Sequence, residues 1–82
     1  MNEEIVGELR TYIAGQILKQ PGREIAADEA LISGGLIDSF SLIDLAMFVE
    51  QTWGVRIDDT ELNAESFDTL NELAGMVEAR RG

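Results

Sequence analysis

Ile5, Leu9, Ile13 and Ile17 recur at every fourth position of an 82-residue chain, and that ladder dictates how its first stretch must fold. Side chains at this spacing stack on one face of an α-helix. Val6 and Tyr12 flank the ladder, and Glu3 and Glu4 sit where acidic groups favour a helix N-terminus, so residues 5 to 18 are expected to form an amphipathic helix. A second stretch, "DSFSLIDLAMFVEQTWG", is read as a helix capped by Asp38 or Ser39, running to about Thr52 and stopping near Gly54. The third begins at Asp68 or Thr69. The spacing of Thr69 to Glu72 suits a capping box, Leu70, Leu73, Ala74 and Val77 share a face, and Arg80 and Arg81 suit the negative end.

The segments between are less regular. "KQPGREIAADEALISGG" carries Pro21, Gly22, Gly34 and Gly35 and has too few periodic apolar residues for a long helix. It reads as a long ordered loop, anchored to the core by Ile25, Leu31 and Ile32, with the two glycines making the turn before the second helix. After "GVRI", a short extended link, "DDTELNAE" offers Asp58 or Asp59 as cap for a helix of roughly one or two turns, the least stable element. The expectation is an all-α bundle of four helices, three longer and a short third, with a long first loop, forming one domain over residues 1–82.

Eight of the ten residues from Phe40 to Val49 are apolar, more than one core-facing stripe needs. At about 100° per residue, Leu42, Leu45, Ala46, Val49 and Trp53 gather on one side, while Phe40, Ile43, Asp44 and Met47 gather opposite. The first side is core. The second is an exposed apolar strip dotted with acid, the kind of surface on which a partner docks.

Composition narrows the function classes. Sixteen acidic residues against six basic ones leave a formal charge of −10, with no basic stripe, which excludes nucleic acid as a partner and predicts a monomer steered toward basic surfaces. No apolar run reaches the ~18 residues that span a bilayer, and the acidic start lacks the basic region of a signal peptide, so membrane insertion is not expected and the cytoplasm is the expected location. The absence of cysteine agrees with a reducing compartment.

Catalysis fails on inventory. The chain has no histidine and no cysteine, its one lysine is Lys19, and its carboxylates are scattered along solvated faces. Zinc has no nitrogen or sulfur ligands here, and Asp58 and Asp59 lack the spacing of a calcium loop, so no metal site is expected. Ser39 therefore has no base of its own. As an isolated pair Asp38-Ser39 is a helix cap, yet an exposed hydroxyl at a helix start is also an acceptor that another enzyme can modify.

The combination of a small acidic all-α chain, a long first loop, a Gly-Gly turn, "LIDSF" at the head of an apolar second helix and a short third helix resembles the acyl carrier protein family. The resemblance extends from the first helix through "FDTLNELAGMV". It implies that the Asp38-Ser39-Phe40 motif receives 4′-phosphopantetheine from coenzyme A on Ser39, through a phosphopantetheinyl transferase, and that the chain is a carrier and not an enzyme. The arm's thiol then holds an acyl group as a thioester, which supplies the sulfur this chain lacks. By the same resemblance Phe40, Ile43, Asp44 and Met47 are the positions shown to partner synthases, ligases and transferases. The chain differs from fatty-acid-type carriers at Ser41, where they are typically acidic, and at Phe40, where Leu is commoner; the double glycine is shared with aminoacyl and peptidyl carriers. The leading expectation is an acyl carrier of a specialised, polyketide-like or fatty acid pathway. A D-alanyl or other aminoacyl carrier is the near alternative, and an unmodified acidic helical adaptor the alternative of another class.

Overall fold

A computed structural model describes residues 3–81. Three α-helices form its frame: α1 (Glu3–Tyr12), α2 (Ser39–Trp53) and α3 (Leu70–Arg81). A π-helical turn over Ile13–Ile17 prolongs α1, a 3-10 turn over Asp59–Glu61 lies between α2 and α3, and no strand occurs among the described residues. The all-α class stands, with three α-helices where four were expected. Among the described residues no helix is long and apolar enough to cross a membrane.

The ladder of α1 folds as its spacing dictates: Ile5, Leu9 and Ile13 are buried. Beyond Tyr12 the helix widens. The Leu18 amide bonds the Ile13 carbonyl at 2.9 Å, the Gln20 amide bonds that of Ala14 at 2.7 Å, and Lys19 takes a left-handed φ of 58° to end the turn. The wider turn leaves both Ile17 and Leu18 half-buried against the core.

The loop from Gln20 to Ile37 is pinned rather than free. Ile25, Leu31 and Ile37 are buried and Ile32 half-buried, the Arg10 Nε–H donates to the Ile25 carbonyl at 2.7 Å, and the Asn71 amide bonds the Ala27 carbonyl at 3.0 Å. Its two glycines have separate reasons. A Cβ on Gly34 would stand 2.3 Å from the Ala30 carbonyl oxygen, and Gly35 has a φ of 80°, which side chains resist.

The expected short helix is a single 3-10 turn of three residues. Asp58 starts it, its amide donating to a Glu61 carboxylate oxygen at 3.2 Å. Asn63 stops it: its side-chain amide donates to the Thr60 carbonyl at 2.8 Å while its oxygen accepts the Ser66 amide at 2.9 Å. These local bonds replace the ladder that a longer helix needs, which is how Asn breaks helices. Phe67 is then fully buried, and Thr69 caps α3 by accepting the Glu72 amide at 3.1 Å. The reciprocal bond of Glu72 goes one residue further back, to the Asp68 amide at 2.8 Å, leaving the Asp68 carboxylate for other work.

Candidate functional site

The site is built at the N-terminus of α2. Asp38 is extended, with φ −90° and ψ 177°, and its carboxylate accepts the Ser41 amide at 2.8 Å. Asp38, not Ser39, is thus the cap. That bond holds the Asp38 carboxyl below its ordinary range, so it is ionised at neutral pH. Ser39 is the first helical residue and is exposed, and no hydrogen bond engages its hydroxyl among the described residues. The serine is therefore spare in the structural sense: the capping that a serine here would ordinarily supply is done by its neighbour.

Next to Ser39 the apolar surplus of α2 separates into two faces. Leu42, Leu45 and Val49 are buried, with Ala46 and Trp53 half-buried beside them. On the other side Phe40 is 82% exposed, Ile43 52% and Met47 53%, and these are the exposed large hydrophobic residues of the described chain. Asp44 lies exposed among them. Its backbone carbonyl accepts the Tyr12 hydroxyl at 3.3 Å, so the middle of the strip is tied to α1.

The turn that delivers Ser39 is held from the far end of the chain. Asp68, just ahead of α3, accepts the amides of Ile32 and Ser33 at 2.8 and 2.9 Å and the Ser33 hydroxyl as well, while its carbonyl accepts the Leu31 amide at 2.6 Å. The Ser33 hydrogen bonds keep the Asp68 carboxyl below the usual carboxylate range. Sequence reading had Asp68 only as a helix cap; nothing in the sequence joins it to a residue 35 positions away.

A second missed feature is aromatic. Tyr12 stacks on Phe48 with ring centroids 4.1 Å apart and planes 14° from parallel, and Trp53 meets Phe48 edge-on at 5.7 Å. Burial, helped by the nearby Asp44 charge, raises the Tyr12 pKa. Among the described residues no group of three or more carboxylates, His or Cys is placed to hold a metal.

The family model described as the phosphopantetheine attachment site matches residues 8–77. The chain is 28% identical over 82 residues to the D-alanyl carrier protein of Leuconostoc citreum, covering all of this chain and 97% of that one. It is 29% identical over 80 residues to the acyl carrier protein of Thermotoga maritima, covering 98% and 95%. Nodulation protein F of Rhizobium leguminosarum bv. trifolii is 42% identical over 60 residues, 72% of this chain and 61% of that protein. No solved structure matches the chain.

Proposed function

The chain belongs to the family of phosphopantetheine attachment domains, which are carriers and not enzymes, and from that premise we propose that Ser39 bears the group and that the chain is an acyl carrier protein. The observation that carries this reading is the pairing of a hydroxyl free of other work with a neighbouring apolar strip that covers nothing in the fold. When bound, the group supplies a thiol on which an acyl chain rides as a thioester.

The residues fit such a group. Ser39 opens a helix of 15 residues, whose N-terminal dipole tolerates a phosphodiester. Its hydroxyl oxygen would bond to the phosphorus at the pantetheine end of coenzyme A's diphosphate as the bond to the nucleotide phosphate breaks. The serine proton must pass to a base on the transferase, because this chain has no histidine and no carboxylate hydrogen-bonded to the Ser39 hydroxyl among its described residues. Asp38, ionised beside Ser39, would hold the helix start to which the group is joined. Phe40, Ile43 and Met47 then offer apolar contact to whichever enzyme receives the arm, and Asp44 and the −10 charge guide basic enzyme surfaces toward it.

The proposal extends to a single carrier domain, monomeric and cytoplasmic, in fatty acid or polyketide-like biosynthesis. The full-length likeness to a D-alanyl carrier protein supports an aminoacyl cargo as the second reading. The adaptor reading gives no account of the family match. The test is intact mass after incubation with a phosphopantetheinyl transferase and coenzyme A. Wild type should gain one phosphopantetheinyl group and Ser39→Ala none; a modified Ser39→Ala protein would overturn the assignment. Offering the holo form to an acyl-transferring enzyme and to a D-alanine-activating ligase separates the two cargoes.

A further inference from the structure

A groove of about 770 Å³ runs between α1 and the C-terminal half of α2, lined by Gly7, Thr11 and Tyr12 on one side and Phe48 and Thr52 on the other. It is not the strip beside Ser39. Counting about 100° per residue, Phe48 and Thr52 lie roughly a quarter to a half of the way round α2 from Phe40, Ile43 and Met47. Three features of the groove point to an occupant. Glu4 and Glu8, one turn apart on α1, both line it, and neither has an ion-pair partner among the described residues. The Tyr12–Phe48 stack gives it an aromatic wall, braced by the edge of Trp53. And Gly7 stands in mid-helix with nothing within 4 Å of where a Cβ would be.

Glycine inside a helix costs stability relative to alanine, and here no turn, positive φ or close neighbour requires it. A large side chain there would project into the groove that Gly7 lines. Carboxylates beside aromatic rings form an environment selective for a cation that brings some apolar surface with it. A second copy of this chain is disfavoured, because each copy carries −10.

We propose that this groove is a second docking site, for an arginine-bearing amphipathic helix of a partner protein, whose guanidinium lies against the Tyr12–Phe48 wall within reach of Glu4 and Glu8. The apolar stem of the arginine and a neighbouring apolar residue of the same helix fill the space above Gly7. Because the groove and the strip occupy different faces of α2, a carrier held here by one protein still presents Ser39 to another.

The experiment is an NMR amide titration of the full chain with a blocked helical peptide bearing Leu and Arg four positions apart. The expected shifts centre on Gly7, Thr11, Phe48 and Thr52. Replacing the peptide's Arg by Gln should weaken binding about fivefold or more, as loss of the ion pairing and the cation–π contact implies, and Glu8→Gln in the protein, which removes one ion pair alone, about twofold. Gly7→Leu fills the groove without disturbing α1, since leucine is the better helix former, and should abolish these shifts while the helical circular dichroism signal stays intact. Shifts confined to Phe40, Ile43 and Met47, equal binding by Gly7→Leu, or equal binding by the Gln peptide would each overturn the proposal, the last by showing a site for apolar ligands only.

Discussion

Asp68 accepts hydrogen bonds from both the backbone amide and the hydroxyl of Ser33, across 35 positions of sequence. Through this contact the start of α3 holds the loop that ends at the Gly34-Gly35 turn, and that turn sets where α2 and Ser39 begin. Asp68→Ala should therefore lower the melting temperature and speed amide exchange at Ile32 and Ser33, which lose their acceptor. Transferase loading of Ser39 should slow as well, since the loop ahead of α2 loosens. Unchanged exchange at Ser33 in the mutant would show that the contact does not hold the loop.

Glu61 sets a pH dependence of stability. The Arg80 guanidinium grips its carboxylate, one bond being 2.9 Å from Nη1 to Oε1, and with the Asp58 amide lowers its pKa to about 2 from an ordinary 4.5. A depressed carboxyl pKa contributes stability that is present above 4.5 and drains away as pH falls toward 2. Wild type should lose melting temperature across that window more steeply than Glu61→Gln, and the two curves should converge near its acid end. Parallel curves would mean the pair contributes nothing in solution, as is common for exposed ion pairs.

How much of this was legible depended on whether a feature is local. The split of α2 into a core face of Leu42, Leu45, Ala46, Val49 and Trp53 and an exposed face of Phe40, Ile43 and Met47 follows from angular spacing alone; in the structure Leu42, Leu45 and Val49 are buried, Ala46 and Trp53 half-buried, and the other three exposed. The cap at Asp38, the stop at Gly54 and the glycine turn at 34–35 are likewise local chemistry. The Asp68–Ser33 and Arg80–Glu61 contacts join residues 35 and 19 positions apart, and no pattern within either segment encodes them. The 3-10 turn is shorter than the helix expected over "DDTELNAE" because the Asn63 side chain bonds the backbone on both sides, a contact the sequence pattern does not show. Ser39 differs in kind. Spacing places it on an exposed helix start, but only its resemblance to a known motif speaks to the group it is proposed to carry.

Lys19 sits at φ 58°, in the left-handed region where a side chain costs about 1 kcal/mol. Its position ends the π-turn after α1, and it is exposed, with no ion pair among the described residues. Lys19→Gly should therefore stabilise the fold by about 0.5 kcal/mol once glycine's greater freedom in the unfolded chain is counted against the relief of strain. Urea unfolding measures it. A loss of stability would show that Lys19 contributes contacts outweighing its backbone.

The two faces of α2 make the sharpest prediction, because neighbouring positions should respond in opposite ways. Leu45 is fully buried, and Leu45→Ala should destabilise by about 3 kcal/mol through lost burial and the cavity left behind. Met47, two residues on, is half in solvent, so Met47→Arg should change stability by no more than about 0.5 kcal/mol. Loading should rank them the other way. An arginine at 47 places positive charge and bulk on the strip beside Asp44, against enzyme surfaces expected to be basic toward a −10 protein, and it should slow the transferase chiefly through the association rate. Leu45→Ala, assayed at a temperature where it remains folded, keeps that strip intact and should load at close to the wild-type rate. Melting curves and loading kinetics on the same two proteins decide the matter: a Met47→Arg protein that stays folded and loads normally removes the strip from the docking surface, leaving Ser39 to be recognised by the turn and cap alone.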